Sequence, residues 1–341
     1  MRVSLLSGSR ARRARRLVGP AVSTLSLAAV VWWALHQQAP RWPTGTTSWL
    51  LLGLAVLVYA GITMVRGLRW YLILRRAGVE ASMADAQALT IVGYMGNTVL
   101  PARGGELLRL FMLGQRTGCS RVTILGTIVA ERMIDLFALL MLLLLLAVVT
   151  ATGVGSDSHV SAIAAIAAVT LFVPALVLLG GWRLGRLARF RALMDRVSSL
   201  TLATRNLLSA QGLLLILLTG AIWMGEGLIY WLVGRAVHLH LNIWQGCFLV
   251  VLSSLVAIIP AAPGYAGTYD AAVQFGLRTL HVHGGQAISF GLLVRLVLFG
   301  PITVVGLILL VVRYGGLSAL GRARIGISEP TGAPASTVPA R

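Results

Sequence analysis

Apolar runs of membrane-crossing length recur along this chain, and arginine marks one end of most of them. About 20 apolar residues suffice to cross the hydrocarbon core as a helix. Residues 17–35 form the first such run, behind a segment that holds six Arg by Arg16. His36, Gln37 and Gln38 follow it in place of a small-residue cleavage site, so it predicts an uncleaved span and not a signal peptide. Residues 49–65 predict a second span, closed by Arg66, Arg69, Arg75 and Arg76. Residues 122–150, 160–181, 212–233 and 288–312 predict four more. The Arg-rich flanks predict cytoplasmic termini and cytoplasmic loops around Arg76 and Arg191, with Asp157 and His238 outside.

Two further apolar stretches are interrupted. Residues 85–114 break at 101–105 and carry Arg on both flanks, which predicts a re-entrant hairpin entering from the cytoplasmic face. Residues 244–280 break at 260–267 and predict a second hairpin from the outer face. Lipid tolerates non-helical backbone and charge only where protein or a water-filled cavity surrounds them. Residues 93–109, read GYMGNTVLPARGGELLR, are therefore the element around which the rest is expected to be organised. Residues 17–150 hold two spans, a broken hairpin and a span, and residues 151–313 hold the same order. Three crossings per half is an odd number, so the second half is expected to be inverted, a recurrent transporter plan. The expected fold is an all-α polytopic membrane protein of six full spans and two re-entrant hairpins. Residues 1–16 form a basic cytoplasmic N-terminus, and residues 314–341 a cytoplasmic tail expected to be disordered.

Composition supports the membrane class: 57% of the 341 residues are hydrophobic and 11% charged. The net charge of +19 comes entirely from Arg, since no Lys occurs. These Arg residues sit beside apolar segments, which fits the positive-inside pattern and argues against nucleic acid as a partner. Cys119 and Cys247 fall near opposite faces, which argues against a disulfide. His238/His240 and His281/His283 fall on the outer side, and their spacing demands no metal. No hydrolase, nucleotide or metalloprotease motif is present, so neither a cofactor nor an enzyme activity is expected.

The candidate chemistry lies in the charged residues at membrane depth. In the segment from Pro101 to Glu106, Pro and paired Gly free backbone amides, and the helix restarting near Glu106 would aim its positive end into the break. Glu106 and Arg109 can share a helix face and pair, while Arg103 is free to hold a phosphate. The plainer reading is an interfacial turn with snorkelling arginines. Glu131, Arg132 and Asp135 sit roughly 15–20 Å into their helix; Glu131 and Asp135 share a face that is expected to look into the bundle. A purely structural ion-pair network with Arg103 or Arg109 is the alternative. Glu226 has the same status in its span. Asp270 stands where a helix would restart after Pro263, Gly264 and Gly267, and Arg295 is a partner for either Asp270 or Glu226.

Three blocks together resemble the lysylphosphatidylglycerol synthase transmembrane family. They are Asn97…Pro101-x-Arg103-x-Gly105-Glu106…Arg109, then Glu131-Arg132-x-x-Asp135, then Pro263-Gly264-x-x-Gly267 preceded by Pro260. Asp270 departs from the pattern, in which Glu is more usual. The resemblance implies a flippase-like protein of the bacterial inner membrane that moves an anionic or modified lipid between leaflets. It also implies that these residues surround the substrate, with membrane lipids as partners and envelope-lipid synthesis enzymes as associates. The soluble synthase domain found in some members is not expected here. Two other classes stay open: a membrane-embedded enzyme or accessory subunit of envelope-lipid synthesis, and a lipid-binding partner without turnover.

Overall fold

The computed structural model describes residues 40, 42–100, 104–151, 210–257 and 263–316. The expected span 17–35, the loop and span from 152 to 209, Pro101, Arg103, Pro260 and the tail from 317 lie outside the described residues. Among the described residues every regular element is helical. They are α1 (Thr46–Arg76), α2 (Met83–Val99), α3 (Gly104–Thr117), α4 (Arg121–Ala151), α5 (Ala210–Ala236), α6 (Ile243–Val256), α7 (Thr268–Thr279) and α8 (Gly285–Tyr314). A short 3-10 turn, Pro263–Tyr265, precedes α7. Helices α1, α4, α5 and α8 are long and apolar enough to cross a membrane. Their outward positions carry Leu57, Phe137, Leu217 and Ile308, exposed as lipid-facing residues should be. The chain is an all-α, multi-pass membrane protein.

The two hairpins expected from the interrupted stretches are α2–α3 and α6–α7. Helix α2 ends at Val99 and α3 begins at Gly104, so the Gly104–Gly105 pair, expected as part of the first break, lies inside α3. The glycines serve close approach instead. A Cβ on Gly105 would fall on the Gly93 carbonyl and about 2.7 Å from Asn97 N, and one on Gly96 would meet Gly105 Cα and Leu108. The backbones of α2 and α3 therefore nearly touch, and the Asn97 side chain accepts the Gly105 N–H at 3.0 Å. The second expected span also needs correction. It does not end at Val65; α1 continues to Arg76, and the apolar residues Trp70, Ile73 and Leu74 beyond the first arginines are buried.

The order long helix, hairpin, long helix occurs twice, and the two copies keep a fixed register through their first parts. Ser82 caps α2 by accepting the Asp85 N–H, and Asn242 caps α6 by accepting the Gln245 N–H. Gly78 and His238 hold the left-handed conformation just past α1 and α5, at φ 72° and 60°. Gly67 lies against Gln87, and Gly227 against Cys247. Each of these pairs is separated by 160 positions, the separation of Arg66 from Glu226. His238 and His281 thus end α5 and α7, where each left-handed residue lets the last amides fold back on the helix.

Helix α1 packs along α5, and α8 along α2, so each half contributes to the core of the other. Gly306 of α8 seats on Met95 and the Ile91 carbonyl of α2. One end of the bundle gathers Arg76, Gln211, Asp85, Arg116 and Arg313: Arg76 donates to Gln211, and Asp85 pairs with Arg313 at 2.9 Å and Arg116 at 3.4 Å.

The near-contact of α2 and α3 yields a prediction. Gly105→Val forces a side chain into the Gly93 carbonyl, and overpacking against backbone costs about 1–3 kcal/mol or more. The apparent Tm of the purified protein in detergent should fall by many degrees, and an unchanged Tm would show that the hairpin is looser than described.

Candidate functional site: a balanced charge cluster beside a polar chamber

Arginine at position 69 sits on the buried face of α1, about two turns before its end at Arg76, and is fully enclosed. Its Nη1 donates to Asp135 Oδ1 at 2.5 Å and to Thr219 Oγ1 at 2.9 Å. Its Nη2 donates to Glu131 Oε1 at 3.1 Å and Asp135 Oδ2 at 3.2 Å. The helical spacing of Glu131 and Asp135 brings both carboxylates to one face of α4, and Arg69 bridges them. Arg109 reaches in from α3 to Glu131 Oε2 at 2.7 Å, with its guanidinium 3.9 Å from the Trp70 ring. Arg132 completes the cluster, 3.4 Å from both Glu131 and Asp135 and 3.6 Å from Glu106. Three arginines thus face three carboxylates. Such neutrality is what membrane depth demands, because an unpaired buried ion is strongly destabilising.

Two further ion pairs flank this cluster. Arg66, one turn before Arg69, meets Glu226 of α5 in a very close contact. The two residues occupy corresponding places in the two halves. Arg66 also lies 4.9 Å from the Tyr94 ring centre. In the second half, Arg295 of α8 meets Asp270 Oδ1 at 2.5 Å and also donates to the Gly264 carbonyl. Asp270 accepts the Gly267 N–H at 3.1 Å, so one carboxylate both caps α7 and fixes Arg295. The backbone at Gly264 (φ 63°) and Gly267 (φ 85°) takes the left-handed region that glycine permits. A Cβ at Gly264 would stand 3.3 Å from the Thr98 carbonyl, which places the second break directly against the end of α2.

Between these groups lies a chamber of about 300 Å³. Arg66, Glu226, Arg132, Asp135 and Asn97 line its polar side. Tyr59, Tyr94, Trp223, Tyr230, Tyr269 and Phe299 supply an aromatic wall. Leu136, Leu139 and Ile302 make the rest apolar. Tyr230 bonds Tyr269 at 2.5 Å and Ser253 at 3.0 Å, so three hydroxyls form a chain along one wall.

The candidate residues separate into three groups. Asn97, Arg132, Asp135 and Glu226 reach the chamber. Glu131 and Arg109 are buried behind it, and Glu106 holds the outer side of Arg132. Gly264, Gly267, Asp270 and Arg295 secure the second hairpin, with Pro263 opening its 3-10 turn, while Gly105 joins α2 to α3. The expected Glu106–Arg109 pair is not formed, because Arg109 turns to Glu131 and Glu106 to Arg132. Of the two partners open to Arg295, it takes Asp270, and Glu226 takes Arg66. By sequence alone Arg66 and Arg69 are expected as part of a cytoplasmic flank. The signal that reveals them is their spacing of three on one helix face within an apolar stretch that continues to Leu74.

A family model described as the lysylphosphatidylglycerol synthase TM region matches residues 16–306. A UPF0104 membrane protein of Methanothermobacter thermautotrophicus is 24% identical over 229 residues, which cover 60% of this chain and 68% of that protein. A UPF0104 membrane protein of Methanocaldococcus jannaschii is 25% identical over 190 residues, covering 54% of this chain and 80% of that one. No solved structure matches at a significant level.

Cluster neutrality can be tested directly. Arg69→Met leaves two buried carboxylates short of a cation, at a cost of about 3–5 kcal/mol, and should abolish a monodisperse, cooperatively melting protein. Adding Asp135→Asn restores equal numbers of charges and should recover much of the apparent Tm. A double variant no better than the single one would refute the balance.

Proposed function

This chain belongs to the lysylphosphatidylglycerol synthase TM-region family, and on that premise we propose that it moves a lipid with an anionic or modified headgroup between the leaflets of the cytoplasmic membrane. The observation that carries this reading is the polar chamber between helices of membrane length, beside two broken hairpins. Exchange of a lipid between leaflets is limited by its headgroup, which must leave water and cross about 30 Å of hydrocarbon. A chamber that offers charges and hydroxyls at depth lowers that barrier while the acyl chains stay in the bilayer.

Within this reading each residue has a task. Arg132 receives the headgroup anion: it lines the chamber, and its side chain keeps 34% of its surface exposed even while paired. Glu131, Asp135 and Glu106 hold Arg132 when no lipid is present. Arg109 is enclosed against Trp70 and Glu131, so it positions the cluster and does not touch the lipid. Arg66 and Glu226 tie the halves together across the chamber. Arg103, by its place in the first break, is a further phosphate ligand. The Arg-rich end of the bundle, with Arg76, Arg116 and Arg313, faces the cytoplasm together with both termini.

The test is leaflet exchange of fluorescent phospholipids in proteoliposomes, read by quenching the outer leaflet. Wild-type protein should accelerate exchange well above protein-free vesicles, and Arg132→Gln should slow it at least ~10-fold, the worth of one charged hydrogen bond. Wild-type vesicles no faster than empty ones would end the proposal. The orientation is checked separately in cells: a single cysteine at 238 should label from outside, and one at 313 only after permeabilisation. The reverse pattern would invert the topology.

A further inference from the structure

Resting on that reading, we infer that Asn97 is a second ligand of the headgroup: its side-chain amide donates to the phosphate of the lipid that Arg132 receives. The direction of this amide is settled by chemistry. A backbone N–H can only donate, so the atom that meets the Gly105 N–H at 3.0 Å is the side-chain oxygen. The Nδ2 hydrogens then lie on the other side of the planar group. Asn97 lines the chamber, and no acceptor among the described residues takes these hydrogens. An asparagine that only joined α2 to α3 would use its oxygen and leave both hydrogens without a task.

Arg132 stands close by. It meets Glu106, while Asn97 meets Gly105, so the two side chains reach neighbouring residues at the start of α3. Both also line the chamber. Other lining groups point to the same class of ligand. Trp223 carries a buried indole N–H that has no partner among the described residues and can only donate. The two lining carboxylates are occupied, Glu226 by Arg66 and Asp135 by Arg69 and Arg132. Tyr230, Tyr269 and Ser253 serve one another. The amide, indole and guanidinium groups of the lining therefore have hydrogens to give while its carboxylates are taken. A lipid phosphodiester brings acceptor oxygens and one negative charge, which Asn97 and Arg132 meet together. The site is one for the phosphate of a phospholipid, whatever group lies beyond it.

Binding is measured on the full-length protein in amine-oxide micelles, which carry no phosphate. Short-chain phosphatidylglycerol and the matching diacylglycerol, which lacks only the phosphoglycerol headgroup, are titrated in turn. Phosphatidylglycerol should bind at least ~10-fold more tightly, the worth of one charged hydrogen bond. Equal binding would overturn the inference, and this comparison needs no variant to fold. The chain holds three asparagines, Asn97, Asn206 and Asn242, so asparagine-selective isotope labelling gives three side-chain amide signals by NMR. Phosphatidylglycerol should shift the Asn97 signal, assigned by replacing the other two, and diacylglycerol should leave it in place. An Asn97 amide that phosphatidylglycerol does not move would also overturn the inference. Asn97→Asp keeps an oxygen for the Gly105 N–H and removes the donor. It should weaken phosphatidylglycerol ~10-fold and leave diacylglycerol unchanged; a cooperatively melting variant with full phosphatidylglycerol affinity would refute the role. Excess sodium phosphate should not displace the lipid, and displacement would make the site one for the free ion. A shifted Asn97 amide without leaflet exchange would remove the transport reading and leave the phosphate site standing; exchange with an unmoved amide would do the reverse.

Discussion

Ionised side chains set between helices of lipid-spanning length must find their counter-charges inside the protein, and Arg69 is where this chain meets that requirement most tightly. One fully buried guanidinium joins α1 to two carboxylates of α4 and, through Thr219, to α5. Arg109 adds α3, and Arg132 closes the group toward the chamber. Four helices are therefore held in one relative arrangement by charge balance. The cost of breaking such a group exceeds the net gain of forming it, so its main consequence is specificity of packing.

The cluster depends in turn on how closely the backbones can approach. Gly93, Gly96 and Gly105 let α2 and α3 come together until the Arg109 stem lies against Gly93. A larger residue there would push α3 outward and draw Arg109 away from Glu131. Asn97 belongs to the same device, since it accepts the Gly105 amide of α3 while also reaching the chamber. In the second half the corresponding task falls to Gly264, Gly267, Asp270 and Arg295, with different side chains. The long first helix and the first arm of each hairpin share one register, with Arg66 and Glu226 meeting at matching positions. An arginine in one half and a glutamate in the other let two related positions pair where identical residues would repel.

The chamber follows from these constraints. The ion pairs of Arg66 with Glu226 and of Arg132 with Asp135 line it together with aromatic rings, and the rings of Tyr59 and Tyr94 lie at the Arg66 guanidinium. Its lining charges are paired with one another, which keeps the chamber electrically balanced at membrane depth, where each unsatisfied donor or acceptor carries weight.

Much of this was legible in the sequence because hydropathy acts locally. The long helices, the two interruptions, the repeated order of elements and the depth of Glu131 and Asp135 all follow from residue types and spacing. So does Asp270 at the start of α7, since a carboxylate suits a helix N-terminus wherever the chain restarts. Partner choice was not legible. Arg66 and Arg69 look like any arginines closing a span until α4 and α5 are packed against α1, because two pairs of opposite charges are equally compatible with several arrangements of helices. Glycine was ambiguous for the same reason: Gly104 and Gly105 read as breakers of a helix, and only the touching backbones of α2 and α3 give them their role inside one. Composition and periodicity determine which segments enter the membrane. Tertiary packing decides which charges meet there, since that depends on distances between helices that no stretch of sequence contains.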